Sequence, residues 1–178
     1  MVAAVPKPIT LEQFLALPEI DGSPAWEFIF GDVSQKPMPG GKHSRLQSRL
    51  GGAINGAGAD YEALPELRCT FGGKSMVPDL VVLGTADIPV DENGDISSTG
   101  FEFAPPWMIE ILSTEQKQMK VTRKILHSLR HGGRMGWLID PYERVVLVFY
   151  PDSLPDELTG EATLPCLSEV GLALTVDQ

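Results

Sequence analysis

Apolar residues follow two patterns along this chain. The stretches at 77–83 and 106–112 are nearly unbroken apolar runs, which suit strands covered on both faces. "MGWLID" and "RVVLVFY" read as two further strands around the turn "PYE", and "LRCTF" as one joined to 77–83 through "GGKSM". In "AWEFIFGDVSQK" Trp26, Phe28 and Phe30 alternate with Glu27 and Ile29, and Gly31-Asp32 reads as a hairpin turn. The second pattern is helical. Leu46, Leu50, Ala53, Ile54 and Ala57 fall on one face of "HSRLQSRLGGAINGAG", and "EQKQMKVTRKILHSLRHGG" reads as a helix stopped by Gly132-Gly133. "TLEQFLALP" reads as a short opening helix, capped by Thr10 with Gln13 completing a capping box and ended by Pro18. Residues 85–104 are polar and acidic, as in a surface loop. The acidic, proline-punctuated tail after Pro151 offers one final strand at "LALTV".

Strands and helices mix without strict alternation. That predicts an α/β fold, a mixed β-sheet flanked by helices. The 178 residues suit one domain over 1–178, with a core at about 8–150 and a tail at 151–178.

Composition changes this picture little. With 43% apolar and 21% charged residues the chain is ordinary for a globular protein. No apolar stretch approaches the roughly 18 residues of a membrane span. "MVAAVPKPIT" lacks a basic start and a long apolar core, so the expected location is the cytoplasm. Cys69 and Cys166 stand far apart and outside any CxxC pattern, which predicts buried free thiols.

Charge matters more. A net charge of −10 opposes non-specific binding to phosphate backbones. Its distribution is uneven, however. Residues 33–59 carry Lys36, Lys42, Arg45 and Arg49 and no acid, and residues 113–134 carry six Lys or Arg against Glu115. These two stretches keep nucleic acid open as a partner.

The candidate chemistry lies where acids interrupt the apolar runs. Asp79 precedes Leu80, Val81, Val82 and Leu83, and Glu110 sits between Ile109 and Ile111. An uncompensated buried carboxylate costs about 3–5 kcal/mol. Each acid could find its own Arg or backbone N–H. Alternatively the two strands are neighbours and the acids converge on a divalent, oxygen-seeking cation, Mg²⁺ or Mn²⁺. In the helix that follows, Val121, Ile125 and Leu129 mark the buried face, and Lys124 flanks it with its ammonium able to turn inward. Glu27 is either on the solvent face of its strand or part of the site. His43, His127 and His131 read as ordinary helix residues.

An apolar-flanked Pro78-Asp79, an acid-bearing strand and a lysine-bearing helix resemble the PD-(D/E)XK nuclease superfamily. More closely, "ELRCTFGGKSMVPDLVVL", "PPWMIEILSTEQ" and "ILHSLRHGGRMGWLIDP", with "WEFIFGDV" and "KHSRLQSRL", resemble the Uma-two family, restriction-endonuclease-like proteins abundant in cyanobacteria. The resemblance implies a restriction-endonuclease-like fold with Asp79 and Glu110 as metal-binding acids and Glu27 as an additional acid. The third motif position falls on Leu112 instead of lysine. The family's lysine has moved into the next helix, to Lys124, with Lys120 as the alternative register. Ser128 stands where the family often has an aromatic residue.

The resemblance further implies a Mg²⁺- or Mn²⁺-dependent endonuclease that hydrolyses DNA phosphodiester bonds, with phosphates met by residues 36–49 and a homodimer as one possible assembly. The competing reading is a nuclease-fold protein without catalysis, serving as a binding or regulatory module.

Overall fold

The structure, a computed structural model, describes residues 9–57, 60–96, 100–114 and 116–178. In chain order the elements are α1 (Leu11–Leu15), β1 (Trp26–Ile29), β2 (Asp32–Gln35), α2 (Gly41–Asn55), β3 (Tyr61–Pro65), β4 (Cys69–Phe71), β5 (Lys74–Met76), β6 (Leu80–Gly84), β7 (Trp107–Ile111), α3 (Gln118–Arg130), β8 (Met135–Asp140), β9 (Val145–Phe149) and β10 (Asp156–Thr159). A six-stranded sheet runs β10-β9-β8-β7-β6-β3, and a four-stranded sheet runs β2-β1-β5-β4. The pair β7–β8 is parallel and the other pairs of the large sheet are antiparallel. A parallel pair cannot be closed by a tight turn, and α3 is its crossover. The mixed sheet with flanking helices is therefore present, with a second small sheet added.

The two long apolar runs occupy β6 and β7, at the centre of the large sheet. Alternation sorts their side chains onto two buried faces. Leu80, Val82, Trp107, Ile109, Ile111 and Trp137 form one core with Leu50 and Ile54 of α2 and with Leu164, Leu167 and Val170 of the tail. Val81, Leu83, Met108, Leu112 and Leu138 form the other, with Val121 and Ile125 of α3 and with Ile29, Phe71 and Met76 of the small sheet. Glu110 shares strand parity with Met108, so it points into the second layer, between the sheets and α3.

Several local expectations hold. Thr10 and Gln13 form the reciprocal capping box of α1. Both cysteines are free, although Cys166 is only half-buried. Cys69 is buried, and burial pushes its thiol up to about 12. No helix among the described residues is long and apolar enough to cross a membrane.

Others are corrected. The hairpin turn is Phe30-Gly31, both with positive φ, and Asp32 already pairs with Ile29. Two positive-φ residues give the mirror-image turn whose twist matches the strands. Strands β3, β5 and β10 escaped the hydrophobic pattern, and "LALTV" is no strand beyond the bridge Thr163–Thr175. The reason is position. Strands β3 and β10 are the two edges of the large sheet, where the neighbouring ladder and a single packed Leu158 suffice to hold a polar sequence such as "DELT". The tail meanwhile buries its leucines by packing, with no need of a ladder. Glu115 lies outside the described residues.

Helix α3 carries the lysine of interest, and one glycine sets its distance from the sheet. A Cβ at Gly136 in β8 would stand 2.2 Å from Ile125 Cγ2. Gly136→Ala is expected to push α3 outward and to cost about 1–3 kcal/mol by overpacking. Urea unfolding at constant m-value checks the cost; an unchanged midpoint would mean that the helix moves freely.

Candidate active site

The register of β6 and β7 decides the geometry. Leu80 lies opposite Ile109 and Val81 opposite Met108. One further step brings Asp79 opposite Glu110, and the hydrogen bond from Ile111 N–H to Asp79 Oδ2 (2.7 Å) confirms that the Asp79 carboxylate reaches over β7. On the other side Pro65 pairs with Leu80, so the next step brings Glu66 beside Asp79, with Glu66 N donating to Asp79 O at 3.4 Å. Glu66, Asp79 and Glu110 thus form a row at one level across three strands. Glu66 takes a left-handed φ of 52°, uncommon for a residue with a side chain, and its carboxylate ends on Lys36.

Two lysines interleave with the acids. Lys36 Nζ lies 2.8 Å from Glu66 Oε2 and 2.9 Å from Asp79 Oδ1. Lys124 Nζ lies 2.6 Å from Glu110 Oε1 and 2.8 Å from Glu27 Oε1. Each ammonium bridges two carboxylates. Glu27 is locked a second time by Val77 N–H at 2.9 Å. His43, in the first turn of α2, places Nε2 3.1 Å from Asp79 Oδ2. Gln47, one turn later, donates to Asp79 O and to Glu66 Oε1.

Burial is nearly complete. Asp79 and Glu110 are 0% exposed, Lys124 2% and Glu27 3%. Burial alone would raise the Asp79 carboxyl, but the His43 hydrogen bond and the charge of Lys36 hold it well below the ordinary range. Burial dominates at Glu110 and lifts its carboxyl above that range, with Asp79 and Glu27 adding to the rise and Lys124 opposing it. Burial works against the charge on Lys124, yet Glu110 and Glu27 hold the ammonium firmly protonated. Glu27 is held below the ordinary range, because Lys124 and the Val77 amide outweigh its burial.

Two openings lead in. A cleft of about 170 Å³ is lined by Lys36, His43, Gln47, Glu66 and Asp79. Another, of about 480 Å³, is lined by Glu27, Lys36, Lys117, Lys120 and Lys124. Lys36, Pro37 and Gln116 border both.

All four candidate side chains from the sequence therefore meet. Glu27 is buried, so the solvent-face alternative is corrected: exposed Trp26 takes that face instead. Lys120 turns away and donates to Ser34 Oγ at 2.6 Å, which leaves Lys124 as the lysine between the acids. Leu112 packs in the second core. Lys36 is no surface phosphate contact: it is 8% exposed and bound to two carboxylates. His43 is no ordinary helix residue, since it is buried against Asp79, and Glu66 and Gln47 join the site without a sequence expectation. A signal for two of them existed. His43 and Gln47 continue the stripe of Leu50 and Ile54 at helical spacing, so they are polar residues on a buried face.

The donor set fits a hard divalent cation in three respects. Glu110 Oε2 is buried and has no hydrogen-bond partner. The carboxylates supply oxygen donors only, as Mg²⁺ and Mn²⁺ prefer. Glu27, Glu66, Asp79 and Glu110 against Lys36 and Lys124 leave an excess of two negative charges when all are ionised. One divalent ion matches that excess. Among the described residues, however, no three His, Cys, Asp or Glu side chains already stand in a metal-holding arrangement. The lysines occupy that space.

Comparison with known proteins bears on the chain as a whole. No curated protein matches the chain. A solved structure described as "a putative nuclease belonging to DUF820", from Anabaena variabilis, is 47% identical over 96% of both chains, with a TM-score of 0.89. A family model described as "Putative restriction endonuclease" matches residues 11–177. That match spans nearly the whole chain, including every residue of the buried acid–lysine row, and the chain therefore belongs to the Uma2 family.

Proposed function

We propose that this protein is a divalent-metal-dependent endonuclease that hydrolyses phosphodiester bonds in DNA. The observation that carries the reading is Lys124, a buried, fully charged ammonium held between Glu27 and Glu110 one strand from Asp79. Such a group is expensive to bury and is pre-positioned for a negative partner. Asp79 and Glu110 would hold Mg²⁺ or Mn²⁺, which lowers the pKa of bound water and offsets phosphate charge. Glu27, itself held by the Val77 amide, fixes Lys124. Lys124 keeps its proton throughout and lends its charge to the oxygens of the pentavalent phosphate. His43 and the Ile111 amide hold the Asp79 carboxylate in one orientation. Lys36, tied to Glu66, neutralises Asp79.

The rival reading, a binding or regulatory module without catalysis, has its own support. Both Asp79 oxygens are engaged by Lys36, His43 and the Ile111 amide. Such an acid need not take a metal. Plasmid nicking in Mg²⁺ and Mn²⁺ separates the two readings. The nuclease reading expects relaxed circles from the wild type and none from Asp79→Asn; equal traces of nicking in both would favour the module. Linear product from single encounters would point to a homodimer presenting two sites.

A further inference from the structure

A second charged feature lies beyond the acid–lysine row. Lys74 of β5 and Arg123 of α3 both rest on Phe30, with Lys74 Nζ 4.2 Å and Arg123 Cζ 3.4 Å from the ring centroid. Arg130 stands two turns further along α3. The β4–β5 turn closes over this corner: Phe71 stacks on His127, and a Cβ at Gly72 would strike His131 Nε2 at 2.3 Å. His127 Nε2 lies 3.1 Å from Phe71 O, so it donates there and leaves Nδ1 to accept from Lys74 Nζ at 2.9 Å. Strand β5 and two turns of α3 thus deliver cations to one place.

Among the described residues these cations have no counter-charge. Among the described residues no carboxylate lies within ion-pair distance of Lys74, Arg123 or Arg130. Lys74 is held below the usual lysine value, chiefly by burial and then by Arg123 and Arg130. A chain of net charge −10 has acids to spare, and none among the described residues pairs with these cations. Mutual repulsion of this kind is unfavourable in the free protein and is relieved by a polyanion.

The patch also leads to the site. At 3.6 residues per turn, Lys120, Arg123, His127 and Arg130 form one stripe beside the buried face of α3. Lys120 and Lys117 line the wider opening, where Lys124 and Glu27 are reached. From Lys120 to Arg130 the stripe is roughly 15 Å long at 1.5 Å per residue. One strand of a duplex presents a phosphate about every 3.4 Å of axis, so several phosphates can meet it.

We infer that the Lys74–Arg123–Arg130 surface, with Phe30 beneath it, is where the phosphate backbone of the nucleic acid is gripped, leading one strand to Lys124. This rests on the nuclease reading for its substrate and extends it by naming the contact face, in place of residues 36–49. The contacts position the backbone and read no bases.

The test is binding without cleavage. Anisotropy of a short fluorescein-labelled DNA duplex in EDTA, across a KCl series, gives the slope of log K against log salt. Each of Lys74→Gln, Arg123→Gln and Arg130→Gln is expected to flatten that slope by about 0.9, and the triple variant by about 2.7. Circular dichroism and the unfolding midpoint confirm that the variants are folded. An unchanged slope in the triple variant, or a slope lost instead with Arg45→Gln and Arg49→Gln, would overturn the surface. So would equal affinity for polyglutamate, which would make the occupant an acidic polypeptide. If the slope falls as expected but the wild type never nicks DNA in Mn²⁺, the surface stands and the nuclease reading falls. If the wild type nicks DNA but the triple variant keeps its slope, the surface falls and the nuclease reading stands.

Discussion

Lys124→Met should unfold at markedly lower urea concentration than the wild type and should lose DNA nicking. The ammonium bridges Glu110 Oε1 at 2.6 Å and Glu27 Oε1 at 2.8 Å, and all three groups are buried. Methionine fills much of the same volume but leaves two adjacent carboxylates without a cation. Breaking a buried pair in this way costs about 3–5 kcal/mol. A second variant separates stability from chemistry. In Lys124→Met/Glu110→Gln one of the stranded charges is gone, so a large part of that stability should return while nicking stays absent. Loss of the transition-state charge partner alone is worth roughly 10²–10³-fold in rate. A single Lys124→Met variant that unfolds with the wild-type midpoint would show that the acids were never charged, and the role given to Lys124 would fail with it.

Glu110→Gln should have the opposite signature: higher stability, lower activity. Burial is the chief cause that lifts the Glu110 carboxyl above the ordinary carboxylate range, against the pull of Lys124. A carboxyl raised in the folded state binds its proton more tightly there than in the unfolded chain. Its contribution to stability is therefore complete at acid pH and fades as the pH climbs from the ordinary carboxylate range towards the higher folded value. Glutamine keeps the shape and carries no charge, and Lys124 keeps Glu27 as its partner. Near neutral pH the variant should gain about 0.5–2 kcal/mol, and the gain should shrink on acidification. Urea unfolding at several pH values measures it. Nicking should fall by roughly 10²-fold or more, with weaker Mn²⁺ binding by calorimetry. Stability gained where activity is lost is the mark of a group retained for function. A variant that loses both would instead make Glu110 a structural partner of Lys124.

The site is expensive by design. Six charged groups at one end of the large sheet are not all satisfied by the protein alone, and the unpartnered Glu110 Oε2 is what remains of that conflict. The same tension appears in Lys36, which neutralises Asp79 but also stands where a cation's ligands would gather. Lys36 is in turn held by Glu66, itself fixed by Gln47.

Much of this was legible in the chain. Two unbroken apolar runs suit central strands, and an acid in each, with a lysine flanking the buried stripe of the next helix, makes a buried charged cluster. Asp79, Glu110 and Lys124 came from that logic, and Glu27 from its place among Trp26 and Phe28, where periodicity could not choose its face. The antiparallel register of β6 and β7, which puts Asp79 opposite Glu110, could not be read from either strand, because pairing is a relation between segments and neither sequence encodes its partner's offset. For the same reason the edge strands β3 and β10 stayed hidden: they are held by the neighbouring ladder and have little hydrophobic pattern of their own. Lys36 and Glu66 look like surface residues in any local window, and the helical stripe that puts His43 on a buried face does not say what it meets there. Only the tertiary fold brings them together, by closing α2 and the β1–β2 hairpin over the end of the large sheet. There the loss of water turns ordinary polar side chains into partners of one carboxylate.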